Sequence, residues 1–355
     1  MKLIRLYRTT LFWMTLAAVT PAASFAGIEL CAPENGAAIS LIRADWREQI
    51  SLRGKENKVI KIERRMDFPE KINFSFQCGT NTRAVLEIAL DPEFSRIVRR
   101  EKSDGKNLIR VANLELGRKY FWQVRCGKQK STIRSFTTVA DIPRFIAVPG
   151  SRPGNFRDLG GKSTLDGRMT CQNKIFRGTE MHNRFSITDA GKKFMLGELK
   201  IKSDLDFRYP AQTAKYSRSA LGEAVNWVKI PINAYKSFTP EQNDFFRDAI
   251  RFFAVKENYP VYMHCSGGVD RTGEIAYLLN MILNVDEESA LLDYEASSLC
   301  IFPRRRTVQY FNEWRKQIAA FSPAGTSPQM QVANYLKNIG VSESDMNAIR
   351  KIMTE

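Results

Sequence analysis

The sequence has very little histidine, since His182 and His264 are the only two among its 355 residues. They lie far apart along the chain, and neither an HExxH nor a CxxC pair is present. Proteins bind zinc and similar metals mostly through histidine and cysteine at short, regular spacings. The sequence therefore argues against a metal site of this kind and we expect no cofactor, although carboxylate sites stay open.

Acidic residues are scarce relative to basic ones, with 38 Asp and Glu against 54 Lys and Arg and a formal net charge of +16. This balance favours polyanionic partners: nucleic acid, an anionic membrane surface or phosphorylated substrates. The chain has no zinc finger and no aromatic-basic RNA motif, so we expect no nucleic-acid partner. Its length predicts about two domains of roughly 150 residues each.

The N-terminus lacks an apolar run long enough for a membrane span. Leu11–Val19 falls short of the ~20 residues that a spanning helix needs. It follows the basic residues Lys2, Arg5 and Arg8. Small residues at Ser24 and Ala26 offer a cleavage site before Gly27. We therefore predict a bacterial signal peptide over residues 1–26, a periplasmic or secreted mature protein, and no stable membrane span after cleavage.

Residues 27–140 are predicted to be an all-β sandwich, because short alternating segments recur between turn residues. The predicted strands are Lys71–Cys78, Ala84–Leu90, Leu108–Val111, Lys119–Arg125 and Ser131–Thr137. The segment Leu114–Gln123 (LELGRKYFWQ) resembles the turn and aromatic-rich strand of fibronectin type III-like domains. Cys78 and Cys126 each close a predicted strand, and both a disulfide and two separate buried thiols fit that placement.

A linker, Val139–Pro153, leads into the predicted domain of residues 141–355, where strands and helices alternate. The predicted elements are a helix at Ser186–Leu199, strands at Ile201–Phe207 and Val225–Ile232, a helix from Thr239, a strand at Pro260–His264 and a helix from Arg271. This alternation predicts an α/β domain with a central sheet flanked by helices.

The string Tyr262–Gly273 (YMHCSGGVDRTG) lies between a predicted strand and a predicted helix. Glycines let backbone N–H groups turn inward, and a helix N-terminus adds partial positive charge, so the string predicts a phosphate-binding loop. The same field would lower the pKa of Cys265. Arg271 could bind two phosphate oxygens through its planar fork. The loop residues are Ser266, Gly267, Gly268, Val269, Asp270 and Arg271.

The pattern His-Cys-x5-Arg-Thr-Gly resembles the signature of the protein tyrosine phosphatase superfamily. Asn155–Gly161 (NFRDLGG), Asp206–Arg208 and the Asp270-Arg271 pair resemble the motifs of the atypical bacterial tyrosine phosphatases. The resemblance covers about Pro143 to Glu355. One departure is Val269, where many members carry lysine, and this favours phosphotyrosine over phosphoinositide.

The resemblance implies a two-step hydrolysis of phosphate monoesters. Cys265 attacks phosphorus and forms a phosphocysteine intermediate. Arg271 and the loop N–H groups stabilise the transferring phosphoryl group. Thr272 would hydrogen-bond the thiolate, and His264 would orient the loop.

The general acid is less defined, because no WPD motif precedes the loop. Asp206 is the first candidate, since its strand should end at the same edge of the sheet. Asp270 is the second, with bracing of the loop as its other role, and Asp204 remains open. Arg157 and Asp158 are supporting residues, which in such motifs brace the fold more often than they catalyse. Arg208, also a supporting residue, could reach the substrate phosphate or pair with Asp206.

Three functions fit the sequence. A phosphatase could act on phosphorylated protein, phosphotyrosine first, or on a small phosphate ester. An inositol-polyphosphate phosphatase of phytase type shares the loop, but NFRDLGG and Asp270 speak against it. A catalytically dead module that binds phosphorylated ligands is disfavoured by the intact Cys265, Arg271 and Thr272.

Overall fold

The structure, a computed structural model, describes residues 27–51, 68–78, 83–150, 154–233, 238–300 and 308–354. The predicted signal peptide at residues 1–26 lies outside the described residues. Within these ranges, no helix is both long enough and apolar enough to cross a bilayer.

The N-terminal half is built from strands and one short helix, α1 (Ala44–Ser51). The strands are β1 (Glu29–Ala32), β2 (Ala37–Ile39), β3 (Ile72–Gln77), β4 (Ala84–Ala89), β5 (Ile97–Lys102), β6 (Leu108–Val111), β7 (Lys119–Cys126), β8 (Gln129–Lys130) and β9 (Arg134–Thr138). One sheet has the order β1-β3-β6, and the other has the order β2-β9-β7-β4-β5 with β8 on β7. These strands agree with the all-β prediction, while the fibronectin type III topology stays a prediction.

The two N-terminal sheets share one hydrophobic core. Phe74 and Phe76 of β3 are buried and alternate with less buried residues, as expected for a strand with one inward face. They join Leu86 and Trp122 of the other sheet in the same apolar cluster. A disulfide between Cys78, just after β3, and Cys126, at the end of β7, links the two sheets covalently.

The C-terminal half has a central sheet with helices around it. Its strands are β10 (Arg144–Phe145), β11 (Arg157–Asp158), β12 (Ile175–Gly178), β13 (Ser203–Asp206), β14 (Asn226–Lys229) and β15 (Val261–His264). Its helices are α2 (Asp189–Gly197), α3 (Pro210–Thr213), α4 (Asn243–Phe253), α5 (Asp270–Ile282), α6 (Glu287–Glu295), α7 (Val308–Ala319), α8 (Pro328–Asn338) and α9 (Glu343–Thr354). Short 3-10 helices occur at Pro240–Gln242, Lys256–Asn258 and Ala296–Leu299.

The sheet order places β15 inside the sheet, where a continuous apolar strand belongs. The order is β10-β11-β12-β15-β13-β14, and the four strands β12, β15, β13 and β14 are parallel. All four residues of β15 are buried. Because the carboxyl ends of parallel strands meet at one edge, the residues after β15 and β13 lie together there, which is where ligands bind in such sheets.

The segment predicted as a linker, Val139–Pro153, is partly integrated into the sheet in its described residues. It contains β10, and its Ile146 and Val148 are buried. The prolines that marked this segment as a connection do not prevent a two-residue strand at the sheet edge.

Candidate active site

The strand–loop–helix unit that holds Cys265 is formed as the sequence predicts. Cys265 follows β15 directly, and α5 begins at Asp270. Gly268 has φ +65°, and a Cβ at this position would overlap the backbone carbonyl of Gly178 on β12. Glycine is therefore required here both for backbone conformation and for close packing.

The carbonyl groups of the loop are held from outside. The Glu180 N–H donates to the Ser266 carbonyl at 3.2 Å. Asn155 Nδ2 donates to the Gly267 carbonyl at 3.2 Å and to the Gly268 carbonyl at 2.9 Å. Arg177 Nη2 also donates to the Gly268 carbonyl, at 2.8 Å. In a peptide unit the C=O and N–H point in opposite directions, so outward carbonyls turn the following N–H groups inward. The loop is thus shaped to bind an oxyanion.

The Cys265 thiol is buried, which alone raises its pKa. The charge of Arg271 and the neighbouring hydroxyl and amide of Thr272 outweigh this cost and lower the pKa below its ordinary value. The Asp270 carboxylate opposes them in part. Cys265 is therefore suited to act as a thiolate nucleophile.

Arg271 extends from the first turn of α5 across the mouth of the loop. Its Nη1 donates to the Phe207 carbonyl at 3.1 Å and to Gln212 Oε1 at 3.3 Å. Its Nη2 donates to Ser266 Oγ at 3.3 Å, and its guanidinium lies 5.3 Å from the centre of the Tyr209 ring. The cation therefore stands at the entrance with an exposed aromatic ring beside it.

His264 is buried beneath the loop next to two carboxylates. Its Nε2 lies 2.9 Å from Asp204 Oδ1 and 3.9 Å from Asp206 Oδ2. Burial by itself lowers the histidine pKa, but Asp206 and Asp204 reverse the effect and raise the pKa to about 9. The imidazole is thus a cation near neutral pH, which suits a supporting role and not that of a base.

Asp206 ends β13 at the expected edge, but its side chain is buried and bound by Arg208. Nε of that arginine donates to Asp206 Oδ1 at 2.9 Å and Nη2 donates to Oδ2 at 2.7 Å. Burial raises the Asp206 pKa, but His264 and Arg208 outweigh it, so the pKa is lowered. Arg208 also donates to Glu180 Oε2 at 2.5 Å, so it pairs with protein carboxylates instead of facing the loop.

Asp270 occupies the first position of α5, next to Arg271. It is partly exposed, and Tyr294 Oη donates to its Oδ1 at 3.3 Å. It is close enough to Cys265 for its charge to raise the thiol pKa. A partly exposed carboxyl group therefore lies near the sulfur.

A buried ionic cluster lies behind the loop, and most of its members were missed by sequence reasoning. Arg157 Nε donates to Asp293 Oδ1 at 2.9 Å, and Arg177 Nη1 donates to Asp293 Oδ2 at 2.5 Å. Lys162 Nζ lies 4.0 Å from Asp293 Oδ1. The three cations lower the pKa of Asp293, although burial opposes them. The cluster connects α6 with β11 and β12.

Asn155 joins this cluster to the loop. It has φ +56°, and its Oδ1 accepts a short hydrogen bond from Arg157 while its Nδ2 binds the loop carbonyls. The NFRDLGG motif thus supplies a loop brace, whereas Asp158, its acidic residue, is bound by Arg144 at 2.7 Å. The motif could have identified Asn155, but Arg177 and Asp293 lie in stretches with no distinguishing pattern.

A parallel-sheet edge, an oxyanion loop and a buried low-pKa cysteine define a class of α/β proteins built to act on phosphate esters. Residues 149–355 match the family described as the tyrosine phosphatase family, Y_phosphatase3. The chain belongs to this family and is a phosphatase of the tyrosine phosphatase type.

Individual relatives are more distant. A Cupriavidus necator protein named as a candidate tyrosine-protein phosphatase is 26% identical over 249 residues, which cover 61% of this chain and 86% of that protein. The catalytic core of the Saccharomyces cerevisiae PP-IP phosphatase Siw14 is 18% identical, with a TM-score of 0.29 over 41% of this chain and 86% of that one. Pseudomonas aeruginosa TpbA is 18% identical, with a TM-score of 0.32 over 47% of this chain and 86% of that one.

Proposed function

We propose that this chain is an exported hydrolase of phosphate monoesters that acts on protein phosphotyrosine. The observation that carries the proposal is a low-pKa thiol at Cys265 inside a loop whose carbonyls face outward, with Arg271 at its mouth. The Cys265 sulfur forms a bond to phosphorus as the bond to the leaving oxygen breaks. Water then attacks the phosphocysteine, which releases phosphate and restores the thiolate. Arg271 and the inward N–H groups stabilise the oxygens in both steps.

We assign the general acid to Asp270 and a positioning role to Asp206. An acid must reach the leaving oxygen before it can protonate it. Asp206 is fully buried and both of its oxygens are bound by Arg208, whereas Asp270 is partly exposed and close enough for its charge to act on the Cys265 thiol. Asp270 would protonate the leaving oxygen and then take a proton from the attacking water.

The mouth of the loop supports an aromatic substrate. Tyr209 is 37% exposed and lies beside Arg271, so an aryl group could pack against its ring once the phosphate is bound. Val269 is buried and apolar and supplies no second cation within the loop. The Tyr209 ring favours an aryl phosphate, and Val269 favours phosphotyrosine over phosphoinositide.

Export is supported by the cysteines of the N-terminal half. The Cys78–Cys126 disulfide is of the kind that persists in oxidising compartments. Together with the predicted signal peptide at residues 1–26, it favours a periplasmic or secreted protein. The boundaries at 27–140 and 141–355 stay predictions.

The test is hydrolysis of p-nitrophenyl phosphate by the full-length protein in the presence of a metal chelator. We expect activity that Cys265→Ser abolishes and a trapped phosphoenzyme in the parent only. A panel of phosphotyrosine peptide, phosphoserine peptide, phosphoinositide and phytate then ranks the substrates. Activity that survives Cys265→Ser would refute the mechanism, and a preference for phytate would refute the substrate assignment.

The assignment of the general acid is tested by measuring how the rate of hydrolysis depends on the leaving group. Asp270→Asn should slow alkyl phosphates by about 100-fold or more, with a smaller effect on p-nitrophenyl phosphate, whose leaving group needs little protonation. Asp206→Asn is the matched variant and should slow both substrates alike. The reverse pattern would assign the acid to Asp206.

A further inference from the structure

A short segment between β6 and β7 joins the N-terminal sheets to the C-terminal half. Asn113 Oδ1 accepts from the Ala147 N–H at 2.8 Å, and Asn113 Nδ2 donates to the Ala147 carbonyl at 2.9 Å. In the same way, the Leu116 N–H donates to Gln172 Oε1 at 2.8 Å and Gln172 Nε2 donates to the Leu116 carbonyl at 3.0 Å. Each side-chain amide thus pairs with a backbone unit as a neighbouring strand would. We name residues Asn113–Leu116 the docking segment.

Two side chains of the C-terminal half complete the contact with the docking segment. Arg144 Nη2 donates to the Asn113 carbonyl at 2.8 Å, and its Nε donates to the Leu114 carbonyl at 3.1 Å. Asn173 Nδ2 donates to Glu115 Oε1 at 2.6 Å. Arg144 is buried, so it depends on these acceptors to offset the loss of hydration.

The same two residues hold Asp158 in the NFRDLGG motif. Arg144 Nη1 and the Asn173 N–H donate to Asp158 Oδ2 at 2.7 and 2.6 Å. The Gly160 N–H donates to Asp158 Oδ1 at 2.8 Å, and the carboxylate is fully buried. The orientation of Asp158 therefore depends on two residues whose side chains contact the docking segment.

Asp158 shares β11 with Arg157, and successive residues of a strand point to opposite faces. On one face of β11, Asp158 accepts a hydrogen bond from Arg144. On the opposite face, Arg157 donates to the Asn155 carbonyl at 3.1 Å and to Asp293 at 2.9 Å. Asn155 in turn binds the Gly268 carbonyl, so continuous contacts lead from the docking segment to the phosphate loop.

We propose that the docking segment is a positioning element of the active site. By fixing Arg144 and Asn173, it holds β11 in the placement that keeps the loop carbonyls turned outward. The N-terminal sheets thereby set the reactivity of Cys265. The inference rests on the proposed function, because its readout is the chemistry of that thiol.

The test uses Glu115→Ala and Gln172→Ala in the full-length chain. Loss of one or two of these hydrogen bonds should lower kcat and kcat/KM together by about 3- to 10-fold. The pH midpoint for alkylation of Cys265 by iodoacetamide should rise as the loop N–H groups lose alignment. Glu115→Gln keeps an acceptor for Asn173 and should restore most of both quantities.

The matched control is Glu198→Gln. Glu198 pairs with Arg99 at 2.5 Å, so it also joins the two halves, but it does so at the end of α2. Loss of this ion pair should leave kcat/KM and the pH midpoint of Cys265 alkylation the same as in the parent. If Gln172→Ala does not fold, Gln172→Met keeps the side-chain length without the paired hydrogen bonds and takes its place.

Two kinds of failure can be told apart. A parent protein without Cys265-dependent hydrolysis refutes the proposed function. An active parent whose Glu115→Ala and Gln172→Ala variants melt at lower temperature, with unchanged kcat/KM and an unchanged alkylation midpoint, refutes only the positioning role.

Discussion

The ionisation of His264 offers a sharp check on the site, because its pKa is raised to about 9 by buried carboxylates. A group whose pKa is raised on folding stabilises the fold fully below its ordinary value of 6.5, and this contribution is lost as the pH rises through about 9. Each pH unit between the two values is worth about 1.4 kcal/mol. The free energy of unfolding should therefore fall by about 3 kcal/mol between pH 6 and pH 9.5.

The measurement benefits from the scarcity of histidine. His182→Gln leaves a single imidazole, so the NMR titration of that ring reports on His264 alone. The Cys265→Ser background removes the thiolate, whose lowered pKa would change stability in the opposite direction over the alkaline range. Urea unfolding at several pH values gives the matching free energies.

Asp204→Asn is the decisive perturbation. It removes the carboxylate 2.9 Å from His264 Nε2 and should lower the midpoint of the His264 titration by about one to two pH units. The free energy of unfolding should then fall less between pH 6 and pH 9.5 than it does in the parent. Asp166→Asn, in an exposed turn where Arg168 holds the carboxylate, is the control and should change neither quantity. A parent midpoint at or below 6.5, or one insensitive to Asp204→Asn, would refute the paired arrangement.

Three other predictions follow from single contacts. Gly268→Ala should reduce kcat/KM by about 100-fold, because the new Cβ displaces the loop from the Gly178 carbonyl, and near-parent kinetics would count against this packing. Asp293→Asn should cost about 3 to 5 kcal/mol in urea unfolding, since it leaves buried cations without their carboxylate, and a change within error would contradict that. Cys78→Ala should cost about 4 kcal/mol, given the 48-residue separation from Cys126, and reductant should destabilise the parent but leave this variant unaffected.

The parts of the fold that sequence could predict are those with a strong local pattern. The strand at Leu108–Val111 has the bounds that its alternation predicts, and β15 and α5 flank the loop as expected. Phosphate-loop chemistry is contiguous in sequence, so Cys265, Arg271 and Thr272 could be placed together without any tertiary information.

The features that the sequence does not predict depend on contacts between residues that are far apart in the chain. β12 (IFRG) carries a buried arginine in a strand, and its burial is offset by the carboxylate of Asp293 and the carbonyl of Gly268, both distant in sequence. The choice between Asp206 and Asp270 likewise turns on Arg208, whose side chain folds back onto Asp206. The burial of Arg177 leaves no signature in residue order, and the sequence left open whether Arg208 pairs with Asp206 or reaches the substrate.

The excess of positive charge behind the loop bears on turnover. Arg157, Arg177 and Lys162 surround one carboxylate, and the Cys265 thiolate brings a second negative charge. Asp158 also acts on Lys162, so carboxylates and the thiolate offset these cations in part, in a region of low polarity. A phosphate ester and the product phosphate both bring further negative charge to the same cations. We therefore expect inorganic phosphate to bind to the site as well, so that its release contributes to the time of each turnover.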